Sequence, residues 1–121
     1  MQWNELTTLE HLQKISSEST EQKILIFKHS TSCSISRAVL GRLERSWNSE
    51  EMKAVKPYFL DLLRFREISN SVAEKFNVKH ESPQAIVIEN NKPVYAQSHF
   101  DISYNELKDV VGGNASGQRD N

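Results

Sequence analysis

An α/β sandwich with a mixed β-sheet is the fold class the sequence predicts, and three observations carry it. An apolar strand-like run, Lys23 to Lys28, is followed by a helical stripe and then by a second strand-like run, Tyr58 to Leu63, which is the order of a parallel βαβ unit. A second helical stripe follows, at Ile68, Val72, Ala73 and Phe76. Two further apolar runs, Ala85 to Ile88 and Val94 to Gln97, flank Asn90-Asn91, the turn chemistry of an antiparallel hairpin.

Each element has its own local cause. Thr7 with Glu10 has the form of a capping box, and Leu9, Leu12 and Ile15 recur at helical spacing, so a helix is expected over 9–16. The 23–28 run is β-branched and aromatic between polar stretches, as in a strand buried on both faces. Ile35, Val39, Leu43 and Trp47 lie four apart and give a helix reaching Trp47. Pro57 is read as preceding the next strand rather than lying in it. Ser103 with Glu106 repeats the capping-box form before Leu107, Val110 and Val111, a short closing helix ending at Gly112-Gly113. Residues 1–113 are expected to form one domain, and the small polar segment 114–121 a disordered tail. Strand, helix, strand, helix, hairpin, helix is the layout of the thioredoxin fold, although periodicity alone leaves other small α/β folds open.

Fifteen basic against sixteen acidic residues leave a formal charge of −1, so no electrostatic footprint for nucleic acid or an anionic membrane is present. No apolar run approaches the length of a membrane span, and Met1-Gln2-Trp3-Asn4-Glu5 lacks the order of a signal peptide. One unpaired cysteine fits a reducing compartment. A cytoplasmic protein is expected, with no nucleic-acid or membrane partner, and the sequence leaves the oligomeric state open.

That cysteine, Cys33, falls between the first apolar strand and the helix after it, at a helix N-terminus. Unpaired backbone N–H groups and the positive end of the helix macrodipole favour thiolate, the attacking form in thiol–disulfide exchange. A lone cysteine is more often a small buried hydrophobe, but Ser30, Thr31, Ser32, Ser34 and Ser36 surround this one with polar groups. Ser36 stands three positions on, where dithiol oxidoreductases carry a second cysteine. Its hydroxyl can donate to a thiolate but cannot resolve a mixed disulfide, so the expected catalyst is monothiol. An ordinary helix-start serine is the competing reading for Ser36, and Ser32 and Ser34 are equally eligible as caps.

Phe27-Lys28-His29-Ser30-Thr31-Ser32-Cys33-Ser34-Ile35-Ser36, His80-Glu81-Ser82-Pro83-Gln84 and Ser98-His99-Phe100-Asp101-Ile102 occur in that order, and together they resemble the monothiol bacilliredoxins, general-stress proteins of the thioredoxin superfamily. The resemblance implies a thioredoxin-like fold with a central mixed sheet flanked by helices. It implies Cys33 as the active thiol, and Pro83 as a cis-proline before the third core strand that lets the chain pair with an extended substrate. It further implies removal of bacillithiol, a low-molecular-weight co-substrate, from S-thiolated client proteins. No tightly bound cofactor is implied. The family pattern usually reads Thr-Cys-Pro-Ile-Ser, whereas this chain has Ser32-Cys33-Ser34-Ile35-Ser36. Serine in place of proline restores an N–H at the first helical position.

Substrate-side candidates are Ser32, Ser34, Ser82, Pro83, Lys28 and His80. Lys28, with Arg64 and Arg66, reads as a solvated charge set, and Lys28 is nearest the thiol in sequence. His29, His80 and His99 each lie near a strand end and could gather at Cys33 to hold the carboxylates of a small anionic thiol, although structural roles are the commoner reading. They lack the close pairing of a zinc site. Two other functions fit the same elements: a redox-inert binding module, and an iron–sulfur-carrying glutaredoxin-like protein. The second normally has Gly-Phe where this chain has Ser34-Ile35.

Overall fold

A computed structural model of the protein describes residues 2–112; the expected tail, 114–121, lies outside the described residues. The strands are β1 (Asn4–Glu5), β2 (Lys23–His29), β3 (Val55–Asp61), β4 (Gln84–Glu89) and β5 (Lys92–Ser98), and the helices α1 (Leu9–Glu18), α2 (Ser34–Ser46), α3 (Arg66–Phe76) and α4 (Tyr104–Gly112). They form one mixed sheet in the order β1-β3-β2-β4-β5. β2 runs parallel to β3 and antiparallel to β4, so the expected βαβ unit and hairpin are both present.

Alternation along β2 divides the core. Ile24 and Ile26 face α1 and α3 with Leu12, Ile15, Ile68, Val72 and Phe76, whereas Leu25 and Phe27 face α2 and α4 with Val39, Leu43, Leu107 and Val111. Both faces of β2 are therefore buried, which is why its sequence is continuously apolar rather than alternating. At the hairpin, Asn90 and Asn91 have φ of 52° and 64°, the left-handed pair a primed turn requires.

Several boundaries move. The first helix is capped by Thr8, whose Oγ1 accepts from His11 N at 3.0 Å, so the capping residue is one position later than the Thr7-Glu10 pattern indicates. β3 spans Val55–Asp61 instead of 58–63, and Pro57 lies within it. That is permitted because the two-residue β1 pairs only Tyr58 and Phe59, which leaves β3 an edge at Pro57. β1 itself is too short to leave a periodic signal. In α2 the buried face is Ser36, Val39 and Leu43, while Ile35 is exposed. A polar residue thus opens the buried stripe.

Candidate functional site

The end of β2 delivers the chain into the turn Ser30-Thr31-Ser32-Cys33, closed by Cys33 N donating to Ser30 O at 3.2 Å. Cys33 is the N-cap of α2 in extended backbone (φ −106°, ψ 120°), and its carbonyl accepts from Arg37 N at 3.1 Å. The thiol belongs to the N-cap residue, is half-buried, and makes no capping hydrogen bond among the described residues. Ser32 and Ser34 are exposed on either side. Arg37 Nη1 donates to Thr31 O at 2.9 Å and steadies the loop.

Ser36 is fully buried beneath this turn. Its Oγ lies 2.7 Å from His29 Nδ1 and accepts from Ser30 N at 3.1 Å. The hydroxyl is therefore committed to the floor of the cysteine loop, which is more than the ordinary helix-start serine of the competing reading. His29 packs beside Phe27 and Phe59, and burial lowers its pKa, with the Asp61 carboxylate opposing.

Pro83 is placed by the sheet. Gln84 stands opposite Lys28 in the antiparallel register, so Ser82-Pro83 lies at the end of β4 that neighbours the His29–Cys33 loop. The Ser82–Pro83 bond is cis. Pro83 O accepts from His99 N at 3.0 Å, His99 having φ 56°, which fixes the turn after β5 against the proline. Ser82 Oγ is buried without a hydrogen-bond partner among the described residues.

Lys28 corrects the expectation of a solvated helper charge. It points to the face of β2 opposite His29 and is 0 % exposed, with Nζ 3.2 Å from Ser69 O and 3.1 Å from His80 Nδ1. A buried ammonium persists only when its protons find acceptors, and these two are supplied by α3 and by the loop before Pro83. Lys28 therefore cannot touch a ligand at the surface. The three histidines do not converge on one point: His29 lies on the α2 face, His80 on the α3 face in the loop before Pro83, and His99 against Pro83. Ser69 and Gln84, both buried, were missed by sequence reasoning. Ser69 lies next to Ile68 on the apolar stripe of α3, and Gln84 opens an otherwise apolar strand. A polar residue at a buried position was the signal in each case.

Burial brings the Lys28 pKa down to about 8. Between about pH 8 and about 10.4 the unfolded chain holds a proton that the folded chain has released, so this group makes stability rise with pH across that window. Urea unfolding of wild type and Lys28→Met is expected to show the wild type gaining on the variant from about pH 8 to about pH 10. Parallel pH curves would contradict the buried ammonium.

Among the described residues no helix is long and apolar enough to cross a membrane, and no cluster of three or more His, Cys, Asp or Glu is placed to hold a metal. The family described as monothiol bacilliredoxin BrxC matches residues 4–107. Among solved structures, a provisionally assigned oxidoreductase with a thioredoxin fold is similar at 29% identity and TM-score 0.72, covering 86% of this chain and 88% of that one. Thioredoxin of Malassezia sympodialis is similar in fold at 10% identity and TM-score 0.72, with 94% and 91% covered. Fasciola hepatica thioredoxin gives 20% identity and TM-score 0.65, with 89% and 95% covered. With one cysteine capping a helix beside a proline loop, on this sheet and in this motif order, the chain belongs to the monothiol bacilliredoxin family of thioredoxin-fold thiol oxidoreductases.

Proposed function

We propose that the protein is a cytoplasmic monothiol reductase that removes a low-molecular-weight thiol, bacillithiol, from S-thiolated client proteins, with Cys33 as nucleophile. The observation that carries this is the half-buried thiol at the N-cap of α2, with a serine already tied to His29 where a resolving cysteine would stand. The Cys33 thiolate attacks the small-thiol sulfur of the client's mixed disulfide. A new disulfide forms between Cys33 and the small thiol, the old one breaks, and the client sulfur leaves as thiolate and takes a proton from solvent. A second small-thiol thiolate then attacks the Cys33-bound sulfur, restoring Cys33 and releasing the symmetric small-thiol disulfide. Electrons pass between sulfurs only, so the scheme calls for no metal, flavin or nucleotide. In this reading Ser32 and Ser34, exposed on either side of Cys33, and the Ser82-Pro83 segment at the neighbouring end of β4 form the substrate-side surface, with the N–H of Ser34 as a donor to the sulfur.

The test offers one client cysteine carrying bacillithiol, glutathione or coenzyme A in competition, with the Cys33 adducts followed by intact mass. The bacillithiol adduct is expected to form fastest. Equal rates, or a faster glutathione or coenzyme A adduct, would overturn the assignment of the small thiol.

A further inference from the structure

Lys28 and His80 form a contact that the exchange scheme does not use. Lys28 Nζ is 0 % exposed, carries only donors when protonated, and lies 3.1 Å from His80 Nδ1. Nδ1 must then be the acceptor, and the imidazole proton is carried by Nε2. Ser69 Oγ, 3.4 Å from the same nitrogen, fits this arrangement as a second donor. The ammonium form prevails at neutral pH because burial lowers the Lys28 pKa only to about 8. His80 itself is exposed, so with Nδ1 turned inward its other ring edge faces solvent, three residues before Pro83.

The charges around the ring favour an anion. Lys28 from β2 and Arg66 from α3 both act on His80 as cations, and Glu81 is the opposing carboxylate. Glu81 is drawn off, with its oxygens 3.9 Å from Lys79 Nζ and 4.0 Å from His99 Nε2.

We propose that His80 is a specificity residue and Lys28 its positioning residue: the buried ammonium holds the ring in the Nε2–H form, and that N–H donates to a carboxylate of the small thiol leaving the client. This rests on the thiol-transfer reading above and adds a recognition contact to it. The pairing also keeps the ring neutral near pH 7, since burial and the Lys28 and Arg66 charges all lower its pKa.

The probes are two mixed disulfides of one cysteine peptide, one with mercaptosuccinate and one with 2-mercaptoethanol. The wild type is expected to favour the mercaptosuccinate disulfide by about tenfold or more, the scale of one hydrogen bond to a charged group, and His80→Phe to lose that preference through KM rather than kcat. The nitrogen-15 spectrum of the wild-type ring near neutral pH is expected to show Nε2 protonated. In Lys28→Met, the His80 titration moves up towards an ordinary imidazole value. An unchanged preference in His80→Phe, or a wild-type ring protonated at Nδ1, overturns the proposal even if Lys28→Met does not fold. Exchange with neither probe by the wild type overturns the thiol-transfer reading and this inference together; exchange with both probes without preference overturns this inference alone.

Discussion

Cys33→Ser is expected to bring reduction of a thiolated client down by about a thousandfold or more, to the rate of uncatalysed exchange, the scale of losing a covalent nucleophile. Cys33 is the only cysteine in the chain, so no second thiol stands in for it. Fold and stability should be retained, because the side chain is half-buried, makes no capping hydrogen bond, and serine is a favoured N-cap. The check is recovery of client thiol together with a thermal melt. Residual activity above background at an unchanged melting temperature would place the chemistry elsewhere.

Ser36→Ala is expected to act on the fold of the site. The hydroxyl accepts from Ser30 N and bonds His29 Nδ1, and all three residues are buried. Alanine leaves an N–H and a ring nitrogen without partners, at a cost of about 2 kcal/mol. For a domain of this size that lowers the melting temperature by roughly 10 °C. Exchange should slow as well, because the Ser30–Cys33 turn loses its floor. An unchanged melting temperature would show that these two hydrogen bonds carry no structural share.

The elements that position the site were legible because burial on both faces writes itself into β2 and β4 as continuous apolar runs. Ser103 marks a helix start by a side-chain oxygen that accepts from Glu106 N, whereas the first helix is capped by Thr8, one position past the Thr7–Glu10 pattern. The cysteine loop was legible for the same reason: it joins the end of one such strand to the start of a helix. Tertiary polar pairing was not legible. Lys28 and His29 are neighbours in sequence and both looked like site residues, yet the pleat sends one to α3 and the other to α2. Charged lysines are almost never fully buried, so the expectation of a solvated Lys28 followed the usual rule. The exception depends on Ser69 and His80, 41 and 52 positions away. Likewise Ile35 began the expected apolar stripe but faces outward, because the Ser36–His29 contact turns Ser36 into the interior.

Transfer of the small thiol is followed most directly by intact mass of both proteins after one equivalent of a bacillithiolated client is mixed with the reduced wild type, without added reductant. The client is expected to lose the mass of one bacillithiol while this chain gains it, with the adduct on the peptide containing Cys33 and none on Cys33→Ser. A client that keeps its bacillithiol, or a stable disulfide between the client and Cys33 with the small thiol released to solution, would contradict the account.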